Sequence, residues 1–195
     1  MEKYCENIFP VSVYSFFRKE DSLNQELLDE IYKIRKTEEN LKKSNKGGFH
    51  SLQDLHQRNI EPFNKLHDEI LGISNELILK ENFSILDECN VKCMKMKEMW
   101  FIINKLNDYN VIHTHGRTWL SGAYYVKVPK NDKYFLMFED PMIIRKYENI
   151  TPNTYKKEIF ENMIVLFPGW LPHKVPENTV DEERIVISFN LEIPI

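Results

Sequence analysis

The chain has 195 residues with 26 basic and 30 acidic side chains, and its formal net charge is −4. This acidic balance gives no reason to expect a nucleic-acid partner that binds through bulk charge. The longest apolar runs, MWFII and MIVLF, are far shorter than the roughly 20 residues that cross a bilayer, so no membrane partner is expected.

The three cysteines, Cys5, Cys89 and Cys93, are sparse and odd in number. Because the first ten residues also lack the basic-then-apolar order of a signal peptide, we expect free thiols and a cytoplasmic location. Cys89 and Cys93 are four residues apart and would share a helix face. A metal site there would need a second pair of thiolates, which the chain lacks.

The N-terminal half predicts one strand followed by two or three helices. Residues 8–17, IFPVSVYSFF, alternate weakly and indicate an opening strand. Apolar residues at helical spacing after Asp21 and Ser22 predict a first helix that ends at SNKGGFHS. A second helical pattern spans residues 52–80, where Pro62 predicts a kink or a break into two helices.

The apolar period changes from helical to two near residue 93. Turn signals such as PKND, PGWLP and PENTVDEE separate the segments that follow. Several short strands without intervening helices predict an antiparallel sandwich or barrel. The β-rich segments are CMKMKEMWFIINKL, SGAYYVKV, KYFLMFED, NMIVLF and RIVISFNLEI.

Three of the six histidines lie in the β-rich half and suggest a metal site. His113 and His115 are two residues apart in VIHTHGRTW, so their side chains share one face of a strand. His173, in FPGWLPHKV, is a candidate third ligand from a distant strand. The alternative is that the close pair is simply exposed on a polar sheet face, and spacing alone leaves both readings open.

Arg184 begins the last predicted strand, RIVISFN, and shares a face with Val186, Ser188 and Asn190. An arginine, a hydroxyl and an amide inside a barrel are costly unless an anion receives them. The planar guanidinium suits a carboxylate because it forms two parallel hydrogen bonds. A metal site and an inward arginine in one barrel therefore predict a small acid that contacts both.

As an ordered set, these motifs resemble a family of 2-oxoglutarate/Fe(II) oxygenases found in marine bacteria and phages. The family order is His-x-His, Ser-Gly-x-Tyr-Tyr, Phe-x-Asp-Pro, Phe-Pro-x-x-Leu-x-His and Arg-x-x-Ile-Ser-Phe-Asn. The matching stretches of this chain are HTHGRTWLSGAYYVKVP, YFLMFEDP, NMIVLFPGWLPHKVPEN and DEERIVISFN. The resemblance covers roughly residues 93–191, and IFPVSVY and SNKGGFHS match more loosely.

The resemblance implies a mostly β fold with N-terminal helices. Its centre would be a double-stranded β-helix, a cupin-like jelly roll, flanked by two or three α-helices. Residues 1–195 would form a single domain, with residues 1–90 as a mainly helical support and residues 91–195 as the catalytic core.

The resemblance also implies Fe(II) and 2-oxoglutarate as cofactors. His113 would open the metal motif, His173 would be the distal ligand, and Arg184 would grip the far carboxylate of 2-oxoglutarate. The further residues implied near that cofactor are Tyr125, Ser188 and Asn104.

His115 stands where the wider superfamily carries Asp or Glu. We favour an all-histidine triad, because strand parity puts His115 beside His113. Two other readings stay open: Asp140, in FEDP, supplies the carboxylate instead, or the site is degenerate and binds metal poorly.

The implied activity is hydroxylation of an unknown small-molecule or peptidyl substrate by O2, with release of succinate and CO2. The alternatives are a cupin-like three-histidine dioxygenase that does not use 2-oxoglutarate, a non-enzymatic small-molecule-binding jelly roll, and a phage structural protein on an old enzyme scaffold. A phage-encoded protein would act in the host cytoplasm. Whether the chain forms a homodimer is left open. Trp119, Trp170 and Tyr124 are candidates either for the mouth of the site or for ordinary core packing.

Overall fold

The computed structural model describes residues 10–19, 22–80, 93–130, 133–142 and 153–193. These residues contain eleven β-strands and two α-helices. The helices are α1 (Leu23–Thr37) and α2 (Glu61–Lys80). The strands are β1 (Tyr14–Phe17), β2 (Asn45–Lys46), β3 (Phe49–His50), β4 (Lys95–Asn104), β5 (Tyr109–His113), β6 (Leu120–Lys127), β7 (Tyr134–Glu139), β8 (Thr154–Ile159), β9 (Met163–Pro168), β10 (His173–Val175) and β11 (Arg184–Glu192).

Helix α1 forms as its apolar spacing predicts, but it is shorter than expected. Its buried stripe consists of the four predicted apolar residues, Leu23, Leu27, Ile31 and Ile34. The helix ends at Thr37 because the backbone becomes extended at the next residue. The segment SNKGGFHS therefore does not terminate the helix. It contains the two short strands β2 and β3 instead.

The predicted break in the second helical pattern is confirmed, although it lies before Pro62. A short 3-10 turn covers Leu55–Gln57, and α2 then begins at Glu61. Pro62 thus occupies the first turn of α2, where its missing N–H would have no helical acceptor in any case. Proline is therefore compatible with the start of this helix.

The strands form two antiparallel sheets. The six-stranded sheet has the order β1-β9-β6-β11-β4-β3, and the five-stranded sheet has the order β2-β5-β10-β7-β8. The prediction of a mostly β fold with antiparallel sheets and two helices is confirmed. Three strands that precede residue 91 add to these sheets: β1 pairs with β9, β2 with β5 and β3 with β4.

Strand β11 separates two hydrophobic clusters. Ile185, Ile187 and Phe189 belong to the cluster that also contains the buried residues of α1 and α2. A second cluster, with Tyr125 among its residues, is formed by strands of both sheets. The side chains of β11 that alternate with these three residues therefore face the second cluster, in the region between the sheets.

Tyr124 lies on the helix side, so of the two readings left open for it the structure favours ordinary core packing. Its side chain is fully buried in the cluster formed with α1 and α2. Its hydroxyl donates to Asn24 Oδ1 at 2.5 Å. The neighbouring Tyr125 faces the opposite side of β6, because successive strand residues alternate.

Some predictions concern residues outside the described ranges, and the predicted helical position of Cys93 is wrong. Cys5, Cys89 and the first two residues of the predicted opening strand lie outside the described ranges. Cys93 is exposed and precedes β4, so it is not on a helix. Neither helix in the described part of the chain is long and apolar enough to cross a membrane.

Gly122 of β6 is packed so closely that a side chain there should destabilise the fold. A Cβ atom at this position would lie 2.8 Å from Leu166 Cδ2 and closer still to the buried ring of Phe189. Gly122→Ala should therefore lower the free energy of unfolding by about 1–3 kcal/mol, measured by urea denaturation. The matched control is Gly72→Ala within α2, where a Cβ meets nothing within 4 Å and should stabilise by about 0.5–1 kcal/mol. Equal effects of the two changes would contradict this account.

Candidate metal centre

Three histidines converge on one point between the sheets. The possible ligand atoms of His113, His115 and His173 all lie within 4.8 Å of one another, and they form the only such group of three or more in the described residues. His113 ends β5 and pairs directly with His173, the first residue of β10. The predicted strand through VIHTHGRTW therefore stops at His113.

His115 reaches the cluster from a loop and not from a strand. Its backbone N–H donates to the carbonyl of Gly169 at 2.8 Å, and the Gly169 N–H donates to the Trp119 carbonyl at 3.3 Å. These bonds tie the loop after β5 to the turn before β10. The predicted proximity of His115 to His113 is present, but the loop contacts produce it and strand parity does not.

Two of the imidazoles are oriented by backbone carbonyls. His113 Nδ1 donates to the Val111 carbonyl at 2.8 Å, and His173 Nδ1 donates to the Leu171 carbonyl at 2.9 Å. Because a carbonyl can only accept, each Nδ1 carries the proton and each Nε2 keeps its lone pair. This is the usual outer support of a metal-binding histidine.

The separation of two of the three nitrogens fits a single ion. His115 Nε2 and His173 Nε2 are 3.2 Å apart. Two nitrogens that each lie about 2.1 Å from one metal, at roughly 90–110° to each other, are separated by about 3.0–3.4 Å. The donor set and its geometry therefore fit a divalent metal such as Fe(II).

Burial keeps the three imidazoles neutral. Desolvation lowers the pKa of His173 to about 3 and that of His115 to about 4, and in both cases the neighbouring His113 lowers it further. Burial also lowers the pKa of His113. Their lone pairs are therefore available to a metal at neutral pH.

Asp140 is not among the ligand atoms that converge with the histidines. Its carboxylate accepts the backbone N–H of Met142 at 2.8 Å. Within the described residues no Asp or Glu joins the group. The geometry therefore favours an all-histidine triad over a triad completed by Asp140.

A cavity between the sheets connects the triad to Arg184. The Arg184 side chain is buried, its Nη2 donates to the Pro176 carbonyl at 3.1 Å, and its guanidinium lies 5.5 Å from the ring centroid of Tyr134. No described residue forms an ion pair with it. Burial lowers the pKa of Arg184 to about 10, so the guanidinium is still charged at neutral pH.

The other predicted site residues line the same cavity. Tyr125, Ser188 and Asn104 are all in its wall. Burial raises the pKa of Tyr125, so its hydroxyl is a protonated donor. Asn190 differs from the expectation, because protein groups already satisfy its amide: it donates to Glu98 at 2.6 Å and accepts from Ser121 at 2.8 Å.

Two aromatic residues of the site were not predicted. Trp100 lies in the cavity wall with its ring centroid 5.8 Å from that of His115. His50 is buried and stacks parallel to Trp100, with an interplanar angle of 7°. Trp100 shares strand parity with Asn104 and was detectable for that reason, whereas the two-residue strand of His50 carries no such signal. The predicted Trp119 and Trp170 are 40% and 50% exposed.

The lowered histidine pKa values predict acid sensitivity of the metal-free protein. An unfolded histidine has a pKa of 6.5, whereas folded His115 and His173 have values of about 4 and 3. Below pH 6.5 the unfolded chain therefore binds more protons, and stability falls as pH falls, by up to about 1.4 kcal/mol per pH unit for each histidine. The histidine contribution to stability is fully present above pH 6.5. It stops decreasing only below about pH 3, where folded His173 is protonated as well. Urea denaturation from pH 5 to 8 measures how the free energy of unfolding changes with pH. The variant His173→Asn should reduce this pH dependence. An unchanged pH dependence would contradict the lowered pKa of His173.

The fold is similar to that of three solved structures, two of them hydroxylases by name. A prolyl-4-hydroxylase from Pseudomonas putida is 15% identical, with a TM-score of 0.63 over 95% of this chain and 94% of that one. The viral collagen prolyl hydroxylase of Paramecium Bursaria Chlorella virus-1, in complex with 2-oxoglutarate, is 11% identical, with a TM-score of 0.58 over 93% and 96%. HygX from Streptomyces hygroscopicus, with nickel, 2-oxoglutarate and hygromycin B bound, is 8% identical, with a TM-score of 0.63 over 95% and 84%. At these identities the likeness establishes a common fold.

Sequence comparison gives one family-model match, over slightly less than half of the chain. No curated protein matches the chain. The family model described as "Putative 2OG-Fe(II) oxygenase" matches residues 98–190. This stretch contains the histidine triad and Arg184, with His115 where the wider superfamily carries a carboxylate. The family match, together with solved structures of the same fold that hold bound 2-oxoglutarate, supports an Fe(II)- and 2-oxoglutarate-dependent oxygenase.

Proposed function

We propose that this oxygenase hydroxylates a small-molecule or peptidyl substrate and releases succinate and CO2. The observation that carries the proposal is one cavity that joins three convergent histidine nitrogens to a buried guanidinium without an ion-pair partner among the described residues. A metal ligand set at one end and an anion receptor at the other suit an acid that contacts both.

In this proposal His113, His115 and His173 hold Fe(II) through their Nε2 atoms. The bound iron supplies the activation of O2, which is coupled to the oxidative decarboxylation of 2-oxoglutarate to succinate and CO2. The carbonyls of Val111 and Leu171 keep two of the imidazoles in the metal-binding tautomer. Because all three ligands are neutral, the site carries one more positive charge than a site with one carboxylate.

Arg184 binds the far carboxylate of 2-oxoglutarate. Its guanidinium is already fixed by the Pro176 carbonyl and the Tyr134 ring, so little side-chain entropy is lost when the anion binds. The protonated hydroxyl of Tyr125 supplies a second donor close to that guanidinium. Ser188 and Asn104, in the wall of the same cavity, are the further residues we assign to 2-oxoglutarate binding.

The two sheets support a double-stranded β-helix as the finer description of the fold. We assign residues 91–195 to its catalytic core and residues 1–90 to a mainly helical support within the same domain, which also adds β1, β2 and β3 to the sheets. The exposed side chains of Trp119 and Trp170 lie beside the loop that carries His115, and they are candidates for substrate contact.

One alternative keeps a specific observation in its favour. The all-histidine triad is the ligand set expected of a cupin-like dioxygenase that does not use 2-oxoglutarate. That enzyme has no need of a buried Arg184 in the same cavity. A non-enzymatic binding protein likewise has no need of three convergent histidine nitrogens.

Binding of 2-oxoglutarate should depend on Arg184, and metal binding should not. In Arg184→Gln the affinity of the Mn(II)-loaded protein for 2-oxoglutarate should fall at least about 30-fold, because a buried charge partner is lost. Calorimetry measures this affinity, and succinate release with Fe(II) and ascorbate measures turnover. The Mn(II) affinity of the variant is the control and should be unchanged. Absence of 2-oxoglutarate binding to the metal-loaded wild type would refute the proposal.

The all-histidine triad predicts that His115→Ala loses the metal. Since outer partners of a metal site alone contribute about 10–100-fold in affinity, loss of a direct ligand should weaken Mn(II) binding by more than about 100-fold. His115→Asp rebuilds two histidines and one carboxylate and should retain the metal. His67→Ala, at a histidine outside the triad, is the matched control. Full metal occupancy in His115→Ala would show that His115 is not a ligand.

A further inference from the structure

The indole N–H of Trp100 is a buried donor without a protein acceptor. The side chain is only 4% exposed and lies in the wall of the cavity between the histidine triad and Arg184. Its Nε1 has no hydrogen-bond partner among the described residues. Buried indole N–H groups usually find a partner, so the unsatisfied donor points to an acceptor that a ligand supplies.

The Trp100 ring is held in one orientation by two histidines. The ring of His50 stacks on it at a centroid distance of 5.7 Å and an angle of 7°, and His50 Nδ1 is fixed by the Ser51 carbonyl at 2.7 Å. The ring of His115 contacts it at 5.8 Å. The donor is therefore positioned before a ligand binds, which lowers the entropic cost of binding.

The register of the sheet places Trp100 at the metal end of the cavity. Strands β4 and β11 pair Trp100 with Ser188 and Asn104 with Arg184. Each strand residue advances about 3.3 Å, so the two pairs are about 13 Å apart along the strands. Because Trp100 contacts His115 of the triad, its row lies at the metal end and the row of Arg184 lies at the far end.

The row between these two holds two aliphatic side chains and the ring of Tyr125. Val186 pairs with Ile102 on one side and with Tyr125 on the other, and all three line the cavity. The wall thus presents a polar row, a largely apolar row of Ile102, Val186 and the Tyr125 ring, and a second polar row. This order matches an acid with oxygen atoms at both ends and methylene groups between them.

We propose that Trp100 donates its indole N–H to a carboxylate oxygen at the metal end of bound 2-oxoglutarate. The Ser188 hydroxyl, which pairs with Trp100 across the strands, is a second donor for the same end. This role rests on the proposed function, because it requires that 2-oxoglutarate lies between the triad and Arg184. Trp100 then fixes which way the keto acid faces the metal, while Arg184 fixes the other end.

The indole proton itself reports on this hydrogen bond. The chain has three tryptophans, so the protein labelled with 15N-tryptophan and loaded with Zn(II), a diamagnetic substitute for Fe(II), gives three indole N–H signals. Trp100→Phe identifies the Trp100 signal. Addition of 2-oxoglutarate should move that signal strongly downfield and slow its exchange with solvent. The signals of the exposed Trp119 and Trp170 should move much less.

The affinity of Trp100→Phe for 2-oxoglutarate is the second measurement. Phenylalanine keeps an aromatic ring against His50 and removes the donor. Calorimetry on the Mn(II)-loaded protein should show 2-oxoglutarate binding weakened by about 10-fold, the value of one hydrogen bond to a charged group. The Mn(II) affinity should not change. Tyr155→Phe removes a hydrogen-bond donor at an exposed position outside the cavity and should leave both affinities unchanged.

The outcomes separate this inference from the proposed function. If the metal-loaded wild type binds no 2-oxoglutarate, the proposed function fails. If it binds 2-oxoglutarate but the Trp100 signal does not move, the assignment of Trp100 is overturned while the proposed function stands. If Trp100→Phe does not fold, the Trp100 signal is assigned by elimination, because Trp119→Phe and Trp170→Phe identify the other two indole signals. The shift of the remaining signal then decides the question.

Discussion

The buried charge of Arg184 is the constraint on which the rest of the structure depends. The described residues offer its guanidinium a backbone carbonyl and an aromatic ring, but no carboxylate at ion-pair distance. A buried cation is costly unless an anion compensates it, and this cost is what favours an anionic ligand in the cavity. The triad at the other end of the cavity then limits the kind of anion, because the same molecule can reach a metal.

Strand β11 connects this constraint to the stability of the fold. One face of the strand packs Ile185, Ile187 and Phe189 into the cluster that holds both helices. The other face presents Arg184 and Ser188 to the cavity. The apolar face stabilises the strand by burial, which offsets the cost of placing polar groups inside. The helices therefore help to hold Arg184 and Ser188 in place through β11, although they contribute no histidine to the triad.

The sequence predicted the direction of a side chain correctly where that direction depends only on alternation along a strand. Alternation along a strand was enough to put Arg184 and Ser188 on one face, and the same rule would have found Trp100 from its spacing to Asn104. It was insufficient for His115, because β5 ends at His113 and parity has no meaning in the loop beyond it. Strand β8, TYKKEI, is polar and carries no apolar alternation by which it could be predicted.

The sequence by itself determined the local features: the apolar stripe of α1, the period of the strands and the residue types that suit a metal and an acid. Only the tertiary structure decided that His113, His115 and His173 meet, that Asp140 does not join them, and that the Trp100 N–H lacks a partner. The physical reason is that helix and strand periodicity act over a few residues. Convergence of distant ligands, and the satisfaction of a buried polar atom, depend on how two sheets and their loops pack together.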